Sequence, residues 1–480
     1  MSRLGESVKM SVIHEGALSM MNWSNLLKCC RLGCPDDEKE HHPDRNEFQR
    51  DFDRVIFSAA FRRLHGKTQV FPFPKSDSIH TRLTHSLEAS CVGRSLGTIV
   101  GNRLEQEQSH NVQGWELGEI VRVACLAHDI GNPPFGHSGE KAIAEFFRSE
   151  RGRTILEKLP EGKQADFAHF DGNAMGFHIL THSNHNIKEV EGGYALTYPA
   201  LAAFVKYPRP ACVDSATKEN TNEPAHGEAK PGKPASEKKP GLFQCDLENF
   251  EMIAQKLGIP PKHKPNMWYR HPLAFLTEAA DDICYKIMDL EDGYKHNLVS
   301  YDETYELLMH ICKMTPDVTN IDGLENIKEN RNRIGFLRAK AINSLTYQVA
   351  DAFIGRHEDI LAGKYDEPLC DCIQAQPALK KIHEISKNEI YSHRPVRQVE
   401  AAGFQVLPGL LDAFLTALVD QKNKASSKRV LSLIPQEYIF EDDKKSYEAI
   451  MSITKYIAGM TDAFAVDTYR TLRGIQLPNY

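Results

Sequence analysis

Gly118-Glu-Ile-Val-Arg-Val-Ala-Cys-Leu-Ala-His128-Asp129-Ile-Gly131-Asn-Pro-Pro-Phe-Gly-His137-Ser-Gly-Glu140 is the stretch that decides how this chain reads. Its first half puts Val121, Ala124, Cys125 and His128 at i, i+3, i+4 and i+7, one face of a helix. Gly131 and two prolines then stop that helix at once. Two ligand-type side chains, His128 and Asp129, are thereby left at the mouth of a turn, and a second histidine and a carboxylate follow within it. A His-Asp pair alone is weak evidence, since it occurs by chance in many proteins. Ligands, helix stop and second histidine arriving together carry more.

Working outward, the same period recurs. Thr81 to Val100 places Leu83, Leu87, Cys91 and Leu96 broadly on one side, and Pro272 to Leu290 carries Leu273, Leu276, Ala280, Ile283 and Ile287 on an inner stripe. Further helical patterns fill 301–313, 335–360, 375–390, 405–422 and 444–474. Alternating patterns are few and short. The expected fold class is all-α, with at most a few short strands.

At 480 residues, 41% of them apolar, the chain can bury a large core. A formal net charge of −7 gives no basic excess of the kind a nucleic-acid coat protein needs. The eleven cysteines lack regular spacing, and Cys370-x-Cys372 has no paired second half, so reduced thiols are the simpler reading and a zinc finger is not expected. The first thirty residues show no basic segment followed by a continuous apolar one. No run approaches about 18 uninterrupted apolar residues, so no membrane helix is expected. These features point to a cytoplasmic protein. Residues 214–241, rich in Lys, Glu, Pro, Gly and Asn, cannot bury enough surface to offset their ordering entropy and read as an inserted flexible loop inside one large domain. Within that domain the chemistry-bearing core runs from about 60 to 295, and a C-terminal helical part from about 300 to 480.

Candidate partners for His128 and Asp129 come from two other helices. His85 lies in His80-Thr-Arg82-Leu-Thr-His85-Ser, and Asp281 in Glu278-Ala-Ala-Asp281-Asp282-Ile-Cys-Tyr285. A lone histidine is more often a satisfied structural residue, and an Asp-Asp run can be a solvated helix face. Ala279, Ala280 and Ile283 favour burial of this one. Two imidazoles and two carboxylates suit Mn²⁺, Fe²⁺, Co²⁺, Ni²⁺, Zn²⁺ or, less well, Mg²⁺. Such an ion polarises a phosphoryl oxygen and acidifies water.

Taken together, the blocks from Asp51-Phe-Asp-Arg54 through Arg62-Arg63-Leu-His-Gly-Lys67-Thr-Gln69-Val70, His80 to Glu88, His128 to Glu140, Phe170-Asp-Gly-Asn173-Ala, Lys206-Tyr-Pro-Arg209, Glu278 to Tyr285 and Tyr456 to Asp462 resemble the HD-domain superfamily. Within it they resemble the bacterial deoxyguanosine triphosphate triphosphohydrolases over nearly the whole chain. The resemblance implies metal ligands at His85, His128, Asp129 and Asp281, with Asp282 the fallback for the last, and Mn²⁺ or Mg²⁺ as the expected ion. It implies an acid/base pair at His137 and Glu140, an α-phosphate grip at Arg82, and a sugar contact at Gln69. Lys206, Tyr207 and Arg209 become triphosphate contacts, Tyr285 a phosphate contact, and Asp289 a contact to the deoxyribose 3′-OH. His169 and Asn173 would line the site, and Asn388 to Glu400 would cap it.

The implied reaction converts dGTP, or another dNTP, to deoxynucleoside and inorganic triphosphate by attack at the α-phosphorus. Whether His137 protonates the leaving 5′-oxygen or manages the attacking water stays open. A homo-oligomer, dimer-based or hexameric, and a single-stranded DNA effector bound near Arg331, Arg333, Arg338 and Lys340 are further implications. Two other functions share part of the pattern. Other HD phosphohydrolases lack the Arg62–Val70 and Tyr456–Asp462 blocks. A catalytically silent nucleotide- or DNA-binding regulator has no need of an intact ligand set with His137 and Glu140.

Overall fold

Two long helices at the heart of the molecule touch through glycine. In the computed structural model, which describes residues 20–33, 45–70, 80–106, 112–182, 192–214, 234–419, 425–439 and 446–476, helix α1 (Arg82–Gln106) lies along helix α2 (Gly114–Ala127). A Cβ on Gly97 would sit 2.5 Å from the Leu117 carbonyl oxygen, and one on Gly101 2.5 Å from the Gly114 Cα, so the two backbones approach more closely than any side chain permits. This contact sets His85, near the start of α1, opposite the end of α2, where His128 and Asp129 follow.

Helix α3 (Gly136–Arg148) leaves the turn, and α4 (Gly172–Thr181) runs past it. Helix α5 (Pro272–Lys295) packs on both α1 and α2 and supplies Asp281. Its start is fixed by Pro272 in the first turn and by the His271 ring, whose Nδ1 accepts the Leu273 N–H at 3.1 Å. Helix α6 (Asn330–Gly355) covers α1 and α5, while α7 (Arg394–Val419) packs on α3. Helices α8 (Tyr447–Ala458) and α9 (Asp462–Leu472) close the chain. One continuous apolar core joins the earlier helices to the later ones.

The fold is all-α; among the described residues the only β pairing is four isolated bridges. Element edges moved where local chemistry decides them. Helix α7 begins at Arg394, well before the expected 405, and Pro408 lies inside it without ending it. The pattern at 375–390 is a regular helix only over Gln376–Ile385, continued by a π turn at Ser386–Ile390. By length and composition α7 could cross a membrane; half of its most apolar window is buried within the protein.

Of the polar segment 214–241, residues 215–233 lie outside the described part. Its far end differs from the expected flexible loop: Ala235 and Ser236 are buried, and Ser236 Oγ is bonded to Asp366. Three residues, Ser236, Glu237 and Lys239, have specific side-chain partners in a stretch that composition alone reads as solvent-borne.

Candidate metal centre and active site

Three helices bring three ligand atoms together. His85 Nε2 lies 3.1 Å and His128 Nε2 3.4 Å from the same oxygen, Asp281 Oδ1. The two rings meet edge to face with centroids 5.1 Å apart. His128 Nδ1 is 2.6 Å from the Cys125 carbonyl oxygen, which fixes the ring proton there and leaves Nε2 with its lone pair toward Asp281. Asp282 points elsewhere, to Lys286 at 2.8 Å. These three donors could hold a metal ion.

Asp129 joins them only in part. Its Oδ1 is 3.6 Å from His128 Nε2 but is bonded to Arg82 Nη1 at 2.8 Å and to Asn132. Its Oδ2 is buried and has no hydrogen-bond partner. A buried carboxylate oxygen with no donor is costly, and a cation beside it would remove that cost. The donor set and this oxygen therefore fit a divalent ion.

Two cations flank the acidic ligands. Arg82, the first residue of α1, holds Asp129, and Lys206 Nζ donates to Asp281 Oδ2 at 2.5 Å, leaving Oδ1 for the imidazoles. Burial pushes the Asp281 carboxyl up, but Lys206 and His128 outweigh it and hold it well below the usual carboxylate range. Burial likewise opposes ionisation of Asp129, and Arg82 overrides it. Burial lowers the His128 imidazole, whereas Asp129 and Asp281 pull it up on balance, so the site attracts positive charge.

Past the turn, His137 Nδ1 sits 2.8 Å from Glu140 Oε2. The imidazole is half exposed, while Glu140 is buried and its Oε1 accepts the Gly172 N–H at 2.8 Å. The turn and α4 interlock: a Cβ on Gly131 would fall 2.2 Å from the Gly172 carbonyl oxygen. Burial opposes a charge on Glu140, yet Lys239 and His137 hold the carboxyl far below its ordinary value. Lys239 Nζ lies 3.9 Å from Glu140 and 3.3 Å from Asp171.

Along α5, one and two turns beyond Asp281, come Tyr285 and Asp289. Asp289 accepts the Tyr391 hydroxyl at 2.5 Å, and the Tyr285 and Tyr391 rings lie 6.0 Å apart. Burial raises the Asp289 carboxyl to about 7. Gln69 sits on the segment that pairs with the start of α1, through the Thr68–Thr81 bridge, and its buried Oε1 is without a partner. Tyr207 lies beside Lys206 with Arg270 over its ring at 6.0 Å.

Residues at the edge of the expected set are engaged otherwise. Arg209 donates to the Glu237 carbonyl, Asn173 donates to Asp171, and His169 meets Arg148. Of the basic residues on α6, Arg338 is paired with Glu291 at 2.8 Å, Arg333 covers the Tyr305 ring, Lys340 covers Phe336, and Arg331 is exposed.

Four participants escaped the sequence reading. Lys239 sits in the segment taken for a loop. Lys67 is buried beneath the turn, donating to the carbonyls of Asn132 at 2.6 Å and Ala458 at 2.8 Å. Asn132 holds Asp129, and Asp171 holds Lys239. The motif around Asn132 and the Lys67 block were visible; their pairing across 65 residues was not.

A His-Asp turn that could hold a metal ion on an all-helical scaffold is the arrangement of the HD-domain phosphohydrolase family. The sequence matches the HD domain family over residues 82–191 and the phosphohydrolase-associated domain over 374–471. A deoxyguanosinetriphosphate triphosphohydrolase-like protein of Synechocystis is 41% identical, covering 95% of this chain and 100% of its own. One from Pseudomonas aeruginosa is 38% identical over 96% of this chain and 100% of its own. The deoxyguanosinetriphosphate triphosphohydrolase of Salmonella typhimurium is 27% identical over 95% and 98%. The chain belongs to the deoxyguanosinetriphosphate triphosphohydrolase-like family.

Proposed function

We infer that the chain hydrolyses a deoxynucleoside triphosphate, dGTP foremost, to deoxynucleoside and inorganic triphosphate. The observation that carries this reading is the position of two cations, Arg82 and Lys206, directly on the two acidic ligand residues. An anion entering beside the ligand set meets both.

His85, His128, Asp129 and Asp281 would hold the divalent ion, Mn²⁺ or Mg²⁺, which when bound polarises a phosphoryl oxygen and lowers the pKa of water. Arg82 binds the non-bridging oxygens of the α-phosphate and stabilises charge developing there. Lys206 and Tyr207 take the rest of the phosphate chain, with Tyr285 beside it. Gln69 and Asp289 address the sugar 3′-OH, with Asp289 held by the Tyr391 hydroxyl. Glu140 stays ionised because Lys239 and His137 offset its burial. It therefore keeps the His137 proton on Nδ1 and leaves Nε2 to move a proton at the reacting centre, either to the 5′-oxygen or from water.

The test is a product assay on the purified full-length chain with each dNTP and Mn²⁺ or Mg²⁺. Deoxyguanosine and inorganic triphosphate from dGTP support the reading. Release of pyrophosphate or monophosphate would replace it with another phosphohydrolase activity, and no turnover of any dNTP would leave a nucleotide-binding protein.

A further inference from the structure

A second group of ligand atoms lies away from the HD site, where α4 ends. His178 and His182 are four residues apart, so both face the same way at the last turn of α4. Across from them a 3₁₀ turn, Gln244–Asp246, brings up Cys245 and Asp246. One ligand atom from each of the four residues lies within 4.8 Å of the others.

Four of the six separations are close to the edges of a coordination tetrahedron. Asp246 Oδ1 is 3.0 Å from His178 Nδ1 and 3.2 Å from His182 Nδ1. Cys245 Sγ is 3.6 Å from His178 Nδ1 and 3.8 Å from Asp246 Oδ1. With ordinary zinc bond lengths, tetrahedral edges are about 3.3 Å between nitrogen and oxygen donors and about 3.6 Å where sulfur takes part. Two imidazoles stacked 4.3 Å apart aim the same ring nitrogen at one carboxylate oxygen. The other oxygen of Asp246 accepts the Phe243 N–H at 3.3 Å, so the carboxylate is oriented by its own turn. The Tyr447 hydroxyl, which donates to Asp166 Oδ2 at 2.7 Å, lies 3.5 Å from the sulfur.

We propose that His178, His182, Cys245 and Asp246 form a structural Zn²⁺ site. One thiolate, one carboxylate and two neutral imidazoles cancel the charge of the ion, as a site containing a fully buried Asp246 requires. Four protein donors close the coordination and leave no position for substrate. The ion would fasten the end of α4, whose other end supplies the Gly172 N–H to Glu140, to the turn that follows Lys239.

The test uses the full-length His128→Ala variant, which lacks an HD ligand, purified from zinc-supplemented medium and analysed by elemental mass spectrometry. About one equivalent of zinc is expected, and its loss when Cys245→Ser or His182→Ala is added. Absence of zinc from His128→Ala, or its retention in Cys245→Ser, overturns the proposal. Should Cys245→Ser fold poorly, Co²⁺-loaded wild-type protein decides: the HD set contains no sulfur, so a thiolate-to-cobalt charge-transfer band reports this site alone. A spectrum without that band overturns the assignment.

Discussion

The two clusters of histidine and aspartate differ in what surrounds them. Around His85, His128, Asp129 and Asp281 stand two buried cations, Arg82 and Lys206, each resting on a carboxylate of the cluster. One carboxylate oxygen, Asp129 Oδ2, is left over. Around His178, His182, Cys245 and Asp246 the second carboxylate oxygen is met by a fixed group, the Phe243 N–H. The first set is built to exchange partners, the second to keep them. Open coordination beside paired cations belongs to chemistry on an anion, and closed coordination with a sulfur ligand belongs to structure.

The sharpest way to break this contrast is to remove Asp129. Asp129→Ala should abolish turnover while leaving the circular dichroism spectrum and the zinc at His178–Asp246 unchanged. Full activity in metal-defined buffer would end the assignment of the first cluster. Next in size is His137→Ala. On the proposed role of its imidazole as proton carrier and not ligand, it should lower kcat by about two to four orders of magnitude without altering the metal content of either cluster. A change of less than tenfold would move the proton-transfer role elsewhere.

Lys67→Met addresses what holds the open cluster in place. Lys67 is buried, and burial pulls its amine down to about 7. Its two hydrogen bonds tie the Asn132 carbonyl to the end of α8, and Asp462 adds to the same junction by accepting the N–H groups of Thr68 and Phe135. Losing the amine orphans both carbonyls, so the urea midpoint should fall by an amount equal to about 1–3 kcal/mol. An unchanged midpoint would show that the junction rests on Asp462.

How much of each cluster could be read beforehand follows from how local its signal is. The open site was largely legible. His128 and Asp129 announce themselves by the helix stop at Gly131, and Arg82 precedes His85 by one turn. Helices were legible for the same reason, because their period is short. The orientation of Asp129 was not, since it depends on Arg82 and Asn132 in space. Lys239 was hidden because a polar composition says nothing about specific partners such as Glu140 and Asp171. The closed site was hidden further. Its two halves, His178-x₃-His182 and Cys245-Asp246, match no common finger spacing, and a low-complexity stretch separates them. A His-x₃-His pair at a helix end was the one available signal.

A third arrangement, around His80, sharpens the comparison by setting carboxylates against a single imidazole. His80 lies between Asp292, at 2.6 Å, and Glu88, at 3.2 Å. Here one imidazole faces two carboxylates, the reverse of two imidazoles on one carboxylate oxygen, and the charge it collects is a proton. The hydrogen bond to Asp292, then that to Glu88, raises its pKa from 6.5 to about 10. Because the folded value lies above the unfolded one, the stabilisation is fully present below pH 6.5 and is lost as pH rises through about 10. His80→Gln should therefore lower Tm most at pH 6 and have no effect by pH 10.5. The effect is the smallest of the four, about 1 kcal/mol or less, since solvent reaches the Glu88 side of the pair. A gap between wild type and variant that stays constant with pH would mean that His80 acts by packing. A gap that also responds to zinc would mean that the division between proton-binding and metal-binding histidines has been drawn in the wrong place.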